Sequence, residues 1–224
     1  MTFGRWSALG SFAAVLLFLF VVVIGPDLLF PAMGLPRPSR TAPGPEALLP
    51  THDHPARYIA DLATLLLSAS FILVTVGLHD RMQATAPTLA RHALVAGAIG
   101  GVVGMVGVMV MSYSRAAIAG IEDPAIAHAA MTTTQTTGIG IAVAGFMFVG
   151  VAFLLFGWAG VGGGGLPHAL AWLLVAQGAI FIVYSLIAPL SPGFGGLAGV
   201  LLGAAAPLVA LVALIWLGIV LWRG

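Results

Sequence analysis

The sequence predicts an all-α membrane protein, a bundle of six transmembrane helices with a long proline-rich extracytoplasmic loop between the first two. Two observations support this prediction. Of the 224 residues, 60% are hydrophobic and only 7% are charged, which leaves too few charged residues for the surface of a soluble domain. In addition, six segments are apolar over about 20 residues, the length that an α-helix needs to cross a bilayer.

The six segments and their connections form one domain that covers residues 1–224. The predicted helices are at about 7–25, 57–79, 92–113, 133–158, 168–189 and 195–222. The first segment could instead be a signal peptide, but its apolar run continues without a small-residue cleavage site, which favours a helix. The predicted connections are 26–56, 80–91, a substantial loop over 114–130, the glycine run 160–165 and a tight turn at 191–193.

The loop 26–56 separates the first two helices. It contains eight of the fourteen prolines of the chain. Because each proline lacks an N–H donor and clashes with the preceding turn, this segment cannot form a regular helix.

The distribution of arginine gives the orientation. With both termini on one side, that side and the other hold four arginines each. Two on the far side, Arg37 and Arg40, lie in the long loop, where basic residues have less influence on topology. We therefore expect both termini in the cytoplasm.

Composition excludes several chemistries. All eight basic side chains are Arg, so the chain has no lysine for a Schiff base. It has no cysteine either, which excludes disulfides, iron–sulfur ligation, c-type haem attachment and a thiol nucleophile. A net charge of +1 gives no reason to expect nucleic acid as a partner.

Glycine recurs at helical spacing in two of the predicted helices. The glycines of the third helix are Gly97, Gly100, Gly101, Gly104 and Gly107, and those of the sixth are Gly195, Gly199 and Gly203. Small residues at this interval allow helix backbones to approach closely. The pattern predicts packing within one bundle, or a seam with a second copy or another membrane subunit. Membrane lipid is the other expected partner.

Polar residues within the predicted spans indicate a ligand cleft. Each such group must find a partner or water in a medium that offers neither freely. On our topology most of them fall in the half of the membrane away from the termini, which predicts a cleft that opens to the extracytoplasmic side. Its predicted residues are Asp61, Thr64, Ser68, Gln135, Gln177 and Tyr184. Arg57, one turn before Asp61, is the expected structural partner of that carboxylate.

The histidines suggest a possible metal site. His52, His54 and His128 lie in the predicted loops above the cleft, and imidazoles are good ligands for zinc or copper. Ordinary solvated histidines are the alternative. The other three are His79, His92 and His168, which lie at helix ends near the rim. Haem is therefore not expected, since bis-histidine ligation needs two facing imidazoles inside the bundle.

In its layout the chain resembles several bacterial six-span families with a long first external loop and short inner connections. This likeness of span count and loop length implies a bacterial plasma membrane. The leading functional hypothesis is a non-enzymatic bundle that binds a small or lipophilic ligand, or an accessory subunit of a membrane complex. The alternatives are a metal-dependent enzyme or metal-binding protein at the extracytoplasmic face, and a small-solute transporter. Whether the protein is an enzyme is left open by the sequence.

Overall fold

The chain folds into helices throughout the part that the computed structural model describes, which is residues 3–21, 30–34, 55–163, 165–187 and 197–223. These residues contain no strand, and they confirm the all-helical prediction. The helices are α1 (Phe3–Leu19), the single turn α2 (Phe30–Ala32), α3 (Pro55–Met82), α4 (Pro87–Ile118), α5 (Pro124–Val161), α6 (His168–Ile187) and α7 (Leu197–Arg223).

Four of these helices, α3 to α6, are long and apolar enough to cross a membrane. The segments Gly4–Leu19 in α1 and Pro207–Arg223 in α7 are also apolar, but they are shorter. The helices are therefore those of an integral membrane protein. Of the predicted loop 26–56, the structure describes 30–34, which includes α2, and the first residues of α3. The rest of this loop, and the predicted turn at 191–193, lie outside the described residues.

The predicted loop over 114–130 is wrong. Helix α4 continues to Ile118 and α5 begins at Pro124, so that only 119–123 connect them. Asp123 caps α5, because its carboxylate accepts hydrogen bonds from the backbone N–H groups of Ala125 and Ile126. Pro124 follows at the first helical position, where a missing N–H costs nothing and the fixed φ favours a helix.

The connection between α3 and α4 is also shorter than expected. Helix α3 extends to Met82 and α4 begins at Pro87, again with proline in the first turn. The N–H groups of Thr85 and Ala86 both donate to the carbonyl of Met82, which closes a tight turn. The predicted boundaries near His79 and His92 therefore fall inside helices.

The six long helices form a closed ring in chain order. Each packs against the next, and α7 returns to pack against α1. Glycine contacts fix an antiparallel register, because Gly97 of α4 meets Thr75 of α3 while Gly104 meets Ser68. The interior is filled with apolar side chains, and at its centre the ring of Phe71 contacts those of Phe146, Phe153 and Phe181.

Helices α4 and α5 meet at backbone contact. A Cβ added at Gly145 would lie 2.6 Å from the N atom of Gly104 and 2.7 Å from the O atom of Gly100. One at Gly107 would lie 2.5 Å from the N atom of Ala142. The predicted glycines of the third helix are thus used for packing within the chain. The surroundings of Gly195, Gly199 and Gly203 lie outside the described side chains.

Candidate functional site

A buried ion pair joins α3 to α4. Arg115 Nη1 lies 2.5 Å from Asp61 Oδ2, and Arg115 Nη2 donates to Asp61 Oδ1 at 3.2 Å. Ser112 Oγ also donates to Asp61 Oδ2. Asp61 and Arg115 are only 9% and 7% exposed. The two meet because α3 and α4 are antiparallel, with Asp61 near the start of one and Arg115 in the last turn of the other.

The pair gives Asp61 a fixed structural role. Both carboxylate oxygens accept hydrogen bonds from a guanidinium in a two-point geometry, which is the strong form of the interaction. We expected Arg57 as the partner of Asp61, but the structure assigns Arg115, and the side chain of Arg57 lies outside the described part. If the predicted helix had been extended through Arg115, antiparallel packing on α3 would have placed Arg115 beside Asp61. The sequence alone would then have indicated this pair.

Most hydroxyl groups in the predicted cleft bond to their own helix. Thr64 Oγ1 donates to the carbonyl of Ala60 at 2.8 Å, and Ser68 Oγ donates to that of Thr64 at 3.0 Å. The threonines at the start of α5 follow the same pattern. Hydroxyls often satisfy themselves in this way on helices. They therefore do not need a ligand.

Gln135 lies close in depth to the ion pair. It precedes Gly138 by about one turn of α5. Gly138 packs against Met111 of α4, and Met111 is the neighbour in sequence of Ser112, which bonds Asp61. Its Nε2 is 3.7 Å from the sulfur of Met131, a weak contact, and the residue is 5% exposed.

The polar residues of α6 lie in different surroundings. Ser185 Oγ donates to the carbonyl of Val143 at 3.1 Å, which ties α6 to α5. Tyr184, next to it, is half-buried. Gln177 lies in the middle of α6 and is 1% exposed. Neither its Oε1 nor its Nε2 has a hydrogen-bond partner among the described residues.

A small cavity opens where α3, α4 and α5 meet. Its volume is about 10 Å³, roughly the space that one water needs. The lining combines glycine backbone with two aromatic rings and one hydroxyl: Gly100, Gly101, Gly104, Gly145, Phe71, Phe146 and Ser68 are among its residues.

The predicted cleft residues thus lie in several places. Asp61 lies near the start of α3 and Gln135 in the first half of α5, Ser68 lines the cavity, and Gln177 is in the core of α6. A single cleft that joins them remains a prediction.

The histidine hypothesis is only partly addressed. His128 lies in the second turn of α5 rather than in a loop, and it is half-buried. His52 and His54 lie outside the described residues. Among those described, no group of three histidine or acidic side chains is close enough to hold a metal ion. The predicted metal site therefore remains a prediction.

The other histidines are near the opposite end of the bundle. His168 Nε2 accepts a hydrogen bond from Trp172 Nε1 at 3.1 Å, and the Nδ1 atom of His79 is buried with no partner in the described part of the chain.

No family model matches this chain, and no curated protein or solved structure matches it at a significant level.

Proposed function

We propose that this chain is a six-span protein of a bacterial plasma membrane, with both termini in the cytoplasm, and that it acts as a non-enzymatic accessory subunit. Its partner would be a transmembrane helix of another subunit that packs on one outer face of α5. We call this the α5 outer face and define it by Thr133, Thr136, Thr137 and Gly140, all of which are exposed.

The observation that supports this proposal is the empty space at Gly140. A Cβ added there would meet no atom within 4 Å. Gly100, Gly107 and Gly145, in contrast, are in backbone contact with a neighbouring helix. Glycine inside a helix costs about 1 kcal/mol relative to alanine, and in membrane helices this cost is usually offset by close packing. At Gly140 none of the described residues provides such packing.

The threonines of the α5 outer face suit a partner helix as well. The hydroxyls of Thr133 and Thr137 donate to the carbonyls of Ala129 and Thr133, one turn earlier. Their outward surface is therefore small and largely apolar. Small residues three or four positions apart on one helix face, with a glycine among them, favour close association of two helices. The alternative function, a bundle that binds a small ligand in its interior, is less well supported, since the cavity beside Ser68 is only about 10 Å³.

The test is the substitution Gly140→Leu, with the assembly measured by native electrophoresis after mild detergent extraction from the membranes of the source cell. Because Gly140 faces open space, leucine fits the isolated chain but blocks a close helix contact. We expect the wild-type protein in a complex well above its own 22.8 kDa and the variant released from it. Val102→Leu on α4, at a side chain that is 53% exposed, is the matched control. A wild-type protein that migrates as a monomer, or an unchanged variant, would contradict the proposal.

The topology is tested separately by cysteine labelling, because the chain has no cysteine of its own. Gly120→Cys and Gln83→Cys place single thiols at exposed positions in the connections at opposite ends of α4. We expect a membrane-impermeant maleimide to label the first in intact cells and the second only after lysis. The reverse result would invert the orientation, and labelling of both in intact cells would remove α4 as a span.

A further inference from the structure

Gln177 is a buried polar group that the fold does not use. It is 1% exposed and lies on the core-facing side of α6, between Leu174 and Phe181. Its Oε1 and Nε2 atoms both lack a hydrogen-bond partner among the described residues. An unpaired buried polar group costs about 1–3 kcal/mol. The intact carboxamide therefore needs a partner that is not a side chain or backbone group of the described fold.

The surroundings restrict the chemistry of this partner. Phe181, one turn from Gln177, contacts the rings of Phe71, Phe146 and Phe153. Helix α6 contains no acidic residue, lysine or arginine. A charged ligand would be unpaired in such a core, at high cost. The partner must therefore be neutral.

The carboxamide itself selects the functional group. Oε1 needs a donor and Nε2 needs an acceptor, and both atoms lie on the same side chain. A hydroxyl group supplies both from one oxygen, because its O–H can donate to Oε1 while its lone pairs accept from Nε2. A ketone or an ether could satisfy only Nε2.

We propose that Gln177 is the hydrogen-bonding residue of an internal site that binds one buried water, whose O–H donates to Oε1 and whose lone pair accepts from Nε2. The aromatic cluster forms an apolar wall of this site. The site lies inside the bundle and is separate from the α5 outer face.

The test uses protein labelled with ¹⁵N-glutamine in detergent micelles. The chain contains three glutamines, so the spectrum holds three pairs of side-chain N–H signals, and Gln177→Leu identifies one pair. Gln135, which is also buried but has a contact with Met131, is the internal control. A cross-peak between the Gln177 amide and water, with the sign of a long-lived buried water, would establish the site.

Gln177→Leu removes the amide and with it the cross-peak, whereas the Gln135 signals should show no such cross-peak in either protein. Absence of a water cross-peak at the Gln177 amide of the wild-type protein would overturn the proposal.

Discussion

Two buried polar sites of this bundle differ in how completely the fold satisfies them. Where α3 begins and α4 ends, Asp61 accepts hydrogen bonds from Arg115 on both of its oxygens and from Ser112 on one of them. In the core of α6, Gln177 has no partner among the described residues. Charge explains the difference. An unpaired ion in this medium costs far more than an unpaired amide, so the chain must supply the partner of a carboxylate itself. An uncharged amide can be left open for a molecule from outside.

The ion pair predicts the largest effect. Replacing Arg115 with Met would leave Asp61 buried beside an apolar side chain. Removing one partner of a buried pair typically costs about 3–5 kcal/mol, and since both residues keep some exposure we expect the lower part of this range. The measurement is the free energy of unfolding in mixed micelles, titrated with dodecyl sulfate.

The double variant Asp61→Leu with Arg115→Met is the control. Removing both charges eliminates the unpaired ion, so most of the lost stability should return. If the double variant is as unstable as Arg115→Met alone, the cost does not come from an unpaired carboxylate. The contrast with Gln177 would then lose its electrostatic basis.

A smaller effect is expected at the hydroxyl of this site. Ser112→Ala removes one donor to Asp61 but leaves both bonds from Arg115. A hydrogen bond to a charged group is worth about 1.5–3 kcal/mol, and we expect the lower end of this range because the carboxylate stays paired. Ser114→Ala is the matched control, because Ser114 donates only to the carbonyl of Val110 in its own helix. The same dodecyl sulfate titration should show little change for Ser114→Ala. Equal effects for the two variants would mean that the bond to Asp61 adds nothing.

The sequence predicts the positions of the four long apolar helices, α3 to α6, well and their ends poorly, for a physical reason. Apolar runs mark only the middle of each helix, whereas α4 and α5 continue through polar but helix-competent residues such as Arg115 and His128. The starts of these helices are set by local residues instead. Asp123 and Pro124 mark the start of α5, and Pro87 marks the start of α4.

The same error hid the partner of Asp61. With Arg115 placed in a loop, only Arg57 on the same helix remained as a candidate for the ion pair. Gln177 is predicted from the sequence as a polar residue within a span that lines a cleft, since a glutamine in the middle of an apolar segment is conspicuous. Its lack of a partner depends on which side chains of the helices packed against α6 surround it. That information is in the packing of the helices and not in the periodicity of any one of them.

The smallest effect is expected at Gln177 itself. Gln177→Leu removes the amide together with any water it holds, and such a paired removal is nearly neutral, so the unfolding free energy should change by less than about 1 kcal/mol. Leu174→Ala, one turn earlier and fully buried, should cost about 2–5 kcal/mol and shows that the assay detects changes at this depth. A loss at Gln177→Leu as large as that at Leu174→Ala would mean that the amide has a structural partner within the chain. Gln177 would then belong with Asp61, as a group that the fold satisfies, and the difference between the two regions would disappear.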